Sequence, residues 1–213
     1  MHDRDRRSVG LESVGILAFD DVEVLDLCGP FQVFDSVRPV DQHDDAARLF
    51  NVIVVAEELK TVRCRGGLQI TPQATIDSHE PLDIVILPGG PGARRERRNS
   101  RLIEWIQRQD SKVEILASVC TGTVFLAECG LLNQRRATTH WRWIEWMRTE
   151  YPSVEILSER RYVDEGHIVT SAGVSAGIDM SLHLVARECG QAIAAWTARR
   201  MEYPWPKRRA SNS

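Results

Sequence analysis

The stretch Val113-Glu114-Ile115-Leu116-Ala117-Ser118-Val119-Cys120-Thr121-Gly122-Thr123-Val124-Phe125-Leu126-Ala127-Glu128 decides the fold. Its first four residues read as a buried strand and its last six as a helix. Between them a reactive residue sits at a sharp strand-to-helix turn, flanked two positions either side by the small residues Ser118 and Gly122. That is the nucleophile-elbow arrangement of serine hydrolases, here with a thiol. The first N–H groups of the following helix, and its dipole, favour thiolate over thiol. Cys120 is therefore expected to titrate below the roughly 8.5 of a free thiol. A lone cysteine is also commonly a small buried residue, and spacing alone leaves both readings open.

Working outward, residues 14–19 form a nearly all-apolar run, as expected of a strand buried on both faces. Leu25, Phe31, Val33, Phe34 and Val37 then recur at helical spacing, with Pro30 placed in a first turn. Residues 50–55 make a second strand, and 62–70 a hairpin turning on Gly66-Gly67. Residues 83–87 are another buried strand, ending in Pro88-Gly89-Gly90-Pro91-Gly92. Leu102, Ile103, Trp105 and Ile106 mark a helix ahead of the Cys120 strand. A Trp-rich helix (141–150), a strand (154–157), a hairpin through Asp164-Glu165-Gly166 to 168–170 and a helix from Ser175 complete the pattern. Strands alternating with helices predict an α/β layered fold around a mostly parallel sheet. One domain is expected over residues 13–205, with flexible tails at 1–12 and 206–213.

Lys plus Arg is 27, Asp plus Glu is 30 and the net charge is −3, which supplies no electrostatic reason for nucleic-acid or membrane-surface binding. The arginines at 94, 95, 97 and 98 are interrupted by Glu96 and read as a solvated helix start, and Lys207-Arg208-Arg209 as a frayed end. No apolar run approaches bilayer length, and the charged N-terminus lacks a signal-peptide core. Five cysteines without a Cys-x-x-Cys spacing argue against a disulfide framework and a zinc site, and point to a reducing cytoplasm.

Ligands of such sheets sit beyond the carboxyl ends of the strands. Asp26, Gly89-Gly90 and Cys120 all fall at such ends. A thiolate at Cys120 attacks an electrophilic carbon, and fixed donors must meet the charge that develops. Gly89 and Gly90 can offer unobstructed N–H groups, or form a plain tight turn. Asp26, set among hydrophobic residues, is either a helix N-cap or a half-buried carboxyl that stays protonated near neutral pH and passes a proton. Thr121 brings a hydroxyl that orients water or substrate, unless it is satisfied locally. His140 lies at a further strand-to-helix junction and is either a substrate- or oxyanion-binding candidate or a satisfied structural or surface residue, while His79 reads as surface. His167 and His183 have no carboxylate or cysteine at ligand spacing, so no metal is expected.

Five segments in order resemble the ThiJ/PfpI superfamily of class I glutamine amidotransferase-like proteins. They are Leu25-Asp26-Leu27-Cys28-Gly29-Pro30, Leu87-Pro88-Gly89-Gly90, Ser118-Val119-Cys120-Thr121-Gly122, Arg136-Ala137-Thr138-Thr139-His140-Trp141 and Ala176-Gly177-Ile178-Asp179. Within it the likeness is nearest to the isocyanide hydratases. The resemblance implies a flavodoxin-like three-layer sandwich, a homodimer and a small-molecule substrate without a cofactor. It makes Cys120 the nucleophile, Asp26 the acid/base and Thr121 a supporting hydroxyl, with Gly89 and Gly90 near the oxyanion. The implied reaction is hydration of an isocyanide to an N-substituted formamide. A redox or stress-response protein with an oxidisable cysteine, or a glyoxalase- or deglycase-like activity, is the alternative. Thr121 stands where the superfamily's proteases carry His, Asp26 where glyoxal-handling members carry Glu, and no His-x-Glu pair of the amidotransferases follows Cys120. Cys28 stands where the hydratases carry Thr, at the pocket floor. The regulators that share the domain continue into a helix-turn-helix; the chain ends at Ser213, so none is expected here.

Overall fold

Seven strands joined side by side organise the protein in the computed structural model, which describes residues 11–205 apart from 42, 43 and 45. The strands are β1 (Glu12–Ala18), β2 (Phe50–Ala56), β3 (Val62–Arg63), β4 (Gln69–Ile70), β5 (Ala74–Thr75), β6 (Ile84–Leu87), β7 (Ile115–Val119), β8 (Arg136–Ala137), β9 (Glu155–Ile156), β10 (Tyr162–Asp164) and β11 (Ile168–Ser171). The helices are α1 (Val24–Asp35), α2 (Pro91–Glu96), α3 (Ser100–Asp110), α4 (Thr123–Glu128), α5 (Ile144–Glu150), α6 (Ala176–Cys189) and α7 (Gln191–Arg200). Glu12, expected in the N-terminal tail, already pairs with Phe50 in the sheet. The rest of the expected tails, except Leu11, lies outside the described residues.

The sheet order is β10-β11-β7-β6-β1-β2-β5, all parallel except the β10–β11 hairpin. From β1 the chain builds outward to β2 on one side, then returns to place β6 on the other. That reversal opens a crevice beyond the carboxyl ends of β1 and β6, where such sheets bind ligands. The loop after β1 leads to Asp26, β6 is followed by Pro88-Gly89-Gly90, and neighbouring β7 is followed by Cys120. Topology alone brings the three candidates together.

The strands read as near-continuous apolar runs because helices cover both faces of the sheet. One group is α1 against α6 and α6 against α7; the other is α2 and α3 against α4. In α3, Leu102, Trp105, Ile106 and Gln109 turn inward at helical spacing. Aromatic edges lock the layers, with Phe34 on Phe50 at 5.1 Å and Phe19 on Phe125 at 5.5 Å between centroids. A Cβ at Gly177 would sit 2.9 Å from the Val119 side chain, so glycine lets α6 press onto the end of β7.

Pro30 corrects the sequence expectation: it lies inside α1, well past the first turn. It has no N–H to give the carbonyl four residues back, which belongs to Asp26. The small strands β3–β4 form the expected hairpin, and β8 pairs in parallel with β9. No helix of the described residues is long and apolar enough to cross a membrane.

Candidate active site

Cys120 has φ 60°, a left-handed conformation that costs a non-glycine residue energy and must be imposed by its surroundings. Those surroundings are visible. Its N–H donates to the Ala172 carbonyl at 3.3 Å, while its own carbonyl accepts from the Thr139 and Thr123 hydroxyls at 2.8 and 3.1 Å. Ser118 Oγ meets Thr123 Oγ1 at 3.1 Å, so the small flank on one side holds the elbow from beneath. On the other, a Cβ at Gly122 would overlap the Leu87 carbonyl oxygen, and only glycine lets the turn rest on β6. A short 3-10 turn, Cys120–Gly122, precedes α4.

Asp26 is the third residue of α1 and is fully buried. Glu23 occupies the N-cap position, so Asp26 is not the cap. Its Oδ2 accepts the Gly89 N–H at 3.1 Å; the carboxyl also faces the Cys120 thiol and the Val174 N–H. Oδ1 is buried without a hydrogen bond of full geometry. Burial pushes this carboxyl up to about 7, with Cys120 and the Gly89 N–H only partly opposing and the Glu23 charge adding to the rise.

The expected low pKa of Cys120 is overturned for the resting site. Burial pushes the thiol up, and the Asp26 charge adds to it, against the N–H groups of Thr121 and Val174 that favour the anion. The 3-10 turn and a helix of six residues supply too little dipole to reverse this. Cys120 and Asp26 thus form a coupled pair near neutral pH, with a proton resting on sulfur beside a carboxyl poised to take it.

The glycines and Thr121 are close by but differently employed than expected. The Gly89 N–H is spent on Asp26, and the Gly90 N–H donates to Thr121 Oγ1 at 2.8 Å. Thr121 Oγ1 in turn donates to the Gly90 carbonyl at 3.2 Å. Neither amide is left to meet an oxyanion, and the Thr121 hydroxyl fastens the β6–α2 loop to the elbow. Gly90 itself has φ 120°, a conformation that glycine alone takes readily. The donors aimed at the sulfur are the amides of Thr121 and Val174.

Above the sulfur opens a pocket of about 340 Å³ whose walls include Gly90, Thr121 and His140. His140 Nδ1 accepts the Arg142 N–H at 3.2 Å and its ring stacks on Trp141. Burial, with the Arg142 charge, pushes its pKa down, so the imidazole is neutral. The same walls carry residues the sequence reading missed: Glu23, Arg65, Arg94, Trp143 and Val174. Arg94 belongs to the run that reads as solvated; its one signal in the sequence is its place one turn into the helix that starts right after Gly90. The run is not uniformly solvated either, since Arg97 is nearly buried against Glu128, with the Tyr151 hydroxyl at 2.8 Å. Val174 gives no sequence signal, because its φ of 53° is imposed by the fold.

The other histidines find partners that no ligand spacing in the sequence shows. His167 Nε2 lies 2.9 Å from Asp110 and His183 Nε2 2.7 Å from Asp164, carboxylates far away in sequence. His79, read as surface, accepts the buried Trp105 indole N–H at 3.0 Å. Among the described residues no group of three or more His, Cys, Asp or Glu is placed to hold a metal ion.

A doubly wound sheet with a cysteine elbow and a facing carboxyl at its switch point defines a class of α/β proteins with a thiol site. The sequence profile of the DJ-1/PfpI family matches residues 12–187, and the chain belongs to that family. It is 32% identical over 190 residues to the isonitrile hydratase of Pseudomonas putida, covering 89% of this chain and 78% of that protein. It is 29% identical over 184 residues to the HTH-type transcriptional regulator GbdR of Pseudomonas aeruginosa, covering 86% of this chain. There it spans about half, 48%, of the regulator's length. Among solved structures, a ThiJ/PfpI family protein from Pseudomonas syringae superposes with a TM-score of 0.80 at 27% identity, covering 96% of this chain and 80% of the other. DJ-1beta of Drosophila melanogaster superposes at 0.78 with 17% identity, over 92% of this chain and 100% of that one, a likeness of fold alone.

Proposed function

We propose that the protein is a hydratase that converts a small isocyanide to an N-substituted formamide, with Cys120 as nucleophile and Asp26 as the proton carrier. The observation that carries this reading is a buried carboxyl of pKa about 7 held against a thiol at the floor of a small pocket. Similarity to the isonitrile hydratase supports it.

The isocyanide carbon is electron-deficient toward sulfur and basic toward a proton. As the sulfur attacks, Asp26 takes the thiol proton and delivers it to that same carbon, leaving the thioimidate R–N=CH–S–Cys120. The amides of Thr121 and Val174 stabilise the negative charge on sulfur during the transfer. Water then adds to the thioimidate carbon, with Asp26 as base. The C–S bond breaks, nitrogen takes one proton and sulfur the other, and R–NH–CHO leaves. The sum is addition of one water, with no electron acceptor needed. Thr121 is a positioning residue, and His140 a neutral wall of the pocket.

The test is formamide production from a simple alkyl or aryl isocyanide, set beside methylglyoxal consumption. Many formamides per Cys120 support the hydratase. Methylglyoxal turnover instead identifies the glyoxalase-like alternative. An oxidisable but non-turning-over thiol identifies the redox alternative. The working form we propose is a homodimer, read by sedimentation at twice the chain mass.

A further inference from the structure

Arg65, Arg94 and Arg142 all line the Cys120 pocket, yet they are not equivalent. Arg65 is paired with Glu23 at 2.9 Å. Arg142 is exposed at the rim, near the Trp141 ring at 5.6 Å. Arg94 is half-buried and lies over Trp143, with Cζ 3.9 Å from the ring centroid. Among the described residues no carboxylate pairs with it.

A guanidinium in that state has given up part of its water without gaining a counter-ion. Burial and the neighbouring Arg65 accordingly push Arg94 down from its ordinary pKa, with Cys120 opposing. The indole fixes the plane of the fork, so its donors are preorganised and little rotamer entropy remains to be lost on binding. The opposing charges are Glu23, already held by Arg65, and the single negative charge that the Asp26–Cys120 pair carries once Asp26 ionises. Around a cavity of about 340 Å³, one molecule touching both Cys120 and Arg94 is small. A neutral guest would cover Arg94 and leave its donors unpaired, which penalises it relative to an anion.

We propose that Arg94 is the specificity residue of this pocket and that the preferred substrates are small electrophiles bearing a carboxylate. For the reaction this rests on the hydratase reading; for the binding it does not.

Two measurements separate those layers. The first compares iodoacetate with iodoacetamide at Cys120 by mass spectrometry, with the urea-unfolded chain as reference. The iodoacetate-to-iodoacetamide rate ratio at wild-type Cys120 exceeds the reference by about tenfold or more, as one charge-assisted pair allows. Arg94→Gln returns it toward the reference and Arg94→Lys keeps part of it. Acetate also slows iodoacetamide labelling of wild-type Cys120 more than equimolar acetamide does, a readout that needs no variant. The second compares isocyanoacetate with its methyl ester, where kcat/KM favours the acid and the preference collapses in Arg94→Gln. An alkylation ratio equal to the reference, or unchanged in a folded Arg94→Gln, overturns the anion site whatever the turnover. If Arg94→Gln does not fold, absence of acetate protection overturns it. An Arg94-dependent alkylation ratio without turnover of any isocyanide upholds the anion site and refutes the hydratase. Equal kcat/KM for acid and ester, with no alkylation preference, refutes the anion site and upholds the hydratase.

Discussion

Asp26 and Asp164 are the same side chain withdrawn from solvent in two places, and they titrate in opposite directions. Burial pushes both up. At Asp164 that push is overcome by His183 Nε2 at 2.7 Å, the Gly166 N–H at 2.8 Å and Arg187 Nη1 at 3.2 Å, which bring it down to about 2. Tyr162 stacks on His183, and the cluster pins the β10–β11 hairpin to α6. Asp26 receives the Gly89 N–H, a thiol and a shared amide, and stays at about 7. A structural carboxylate is surrounded with positive charge until its proton is irrelevant. A working one is denied that charge so that the proton remains mobile near neutral pH.

Removing the thiol tests the contrast most severely. Cys120→Ser should lower formamide formation by about 10³-fold or more with the circular dichroism spectrum unchanged, because a serine hydroxyl is a far weaker nucleophile than sulfur at neutral pH. Near-normal rates in this variant would sink the mechanism. Next in size, Asp26→Asn should cost about 10²- to 10⁴-fold in kcat while Cys120 still alkylates. Asp26→Glu should rescue poorly, since proton transfer depends on reach. In the wild type, kcat/KM should climb as pH rises through about 7, the value of Asp26, and then level off. A flat profile from pH 6 to 8 would leave Asp26 without its role as base.

Stability should split the two aspartates the other way. Asp164→Asn should destabilise the fold by about 1–3 kcal/mol at pH 7 in urea titrations, since it strips partners from His183 and Arg187. Turnover at a temperature where the variant is folded should stay normal. Asp164 is depressed in the folded state, so its contribution is present above about 3.8 and lost as pH falls through about 2. Asp26 is raised, so its contribution is present below about 3.8 and lost as pH rises through about 7. Asp26→Asn should therefore gain about 3–4 kcal/mol on the wild type at pH 8 compared with pH 4. That shift with pH measures most directly what the site costs the fold.

Much of this was legible along the chain because local chemistry wrote it there. Ser118 and Gly122 mark the elbow, the apolar run ahead of them marks a doubly covered strand, and an acid among hydrophobic residues marks Asp26. What could not be read were effects of distant residues meeting. Glycines 89 and 90 look like free donors until Asp26 and Thr121 are seen to occupy their N–H groups. The Cys120 thiol looks activated by a helix until its burial, and the carboxylate beside it, are taken into account. Arg94 looks solvated until Trp143, nearly 50 residues later, is laid beneath it. His183 finds Asp164 across a hairpin, and no spacing rule reaches that far.

The sulfur and the Thr121 amide are mounted at the end of the sheet, whereas two other groups that govern the thiol proton are mounted on the helical layer. Asp26 rides on α1, the Val174 amide sits just ahead of α6, and those two helices pack on each other while Gly177 seats α6 against Val119. Acid and amide are thus carried by one packed pair of helices. Thermal creep between the layers, far too slight to alter secondary structure, will detune the thiol first, so reactivity should fade on heating before the fold reports any loss.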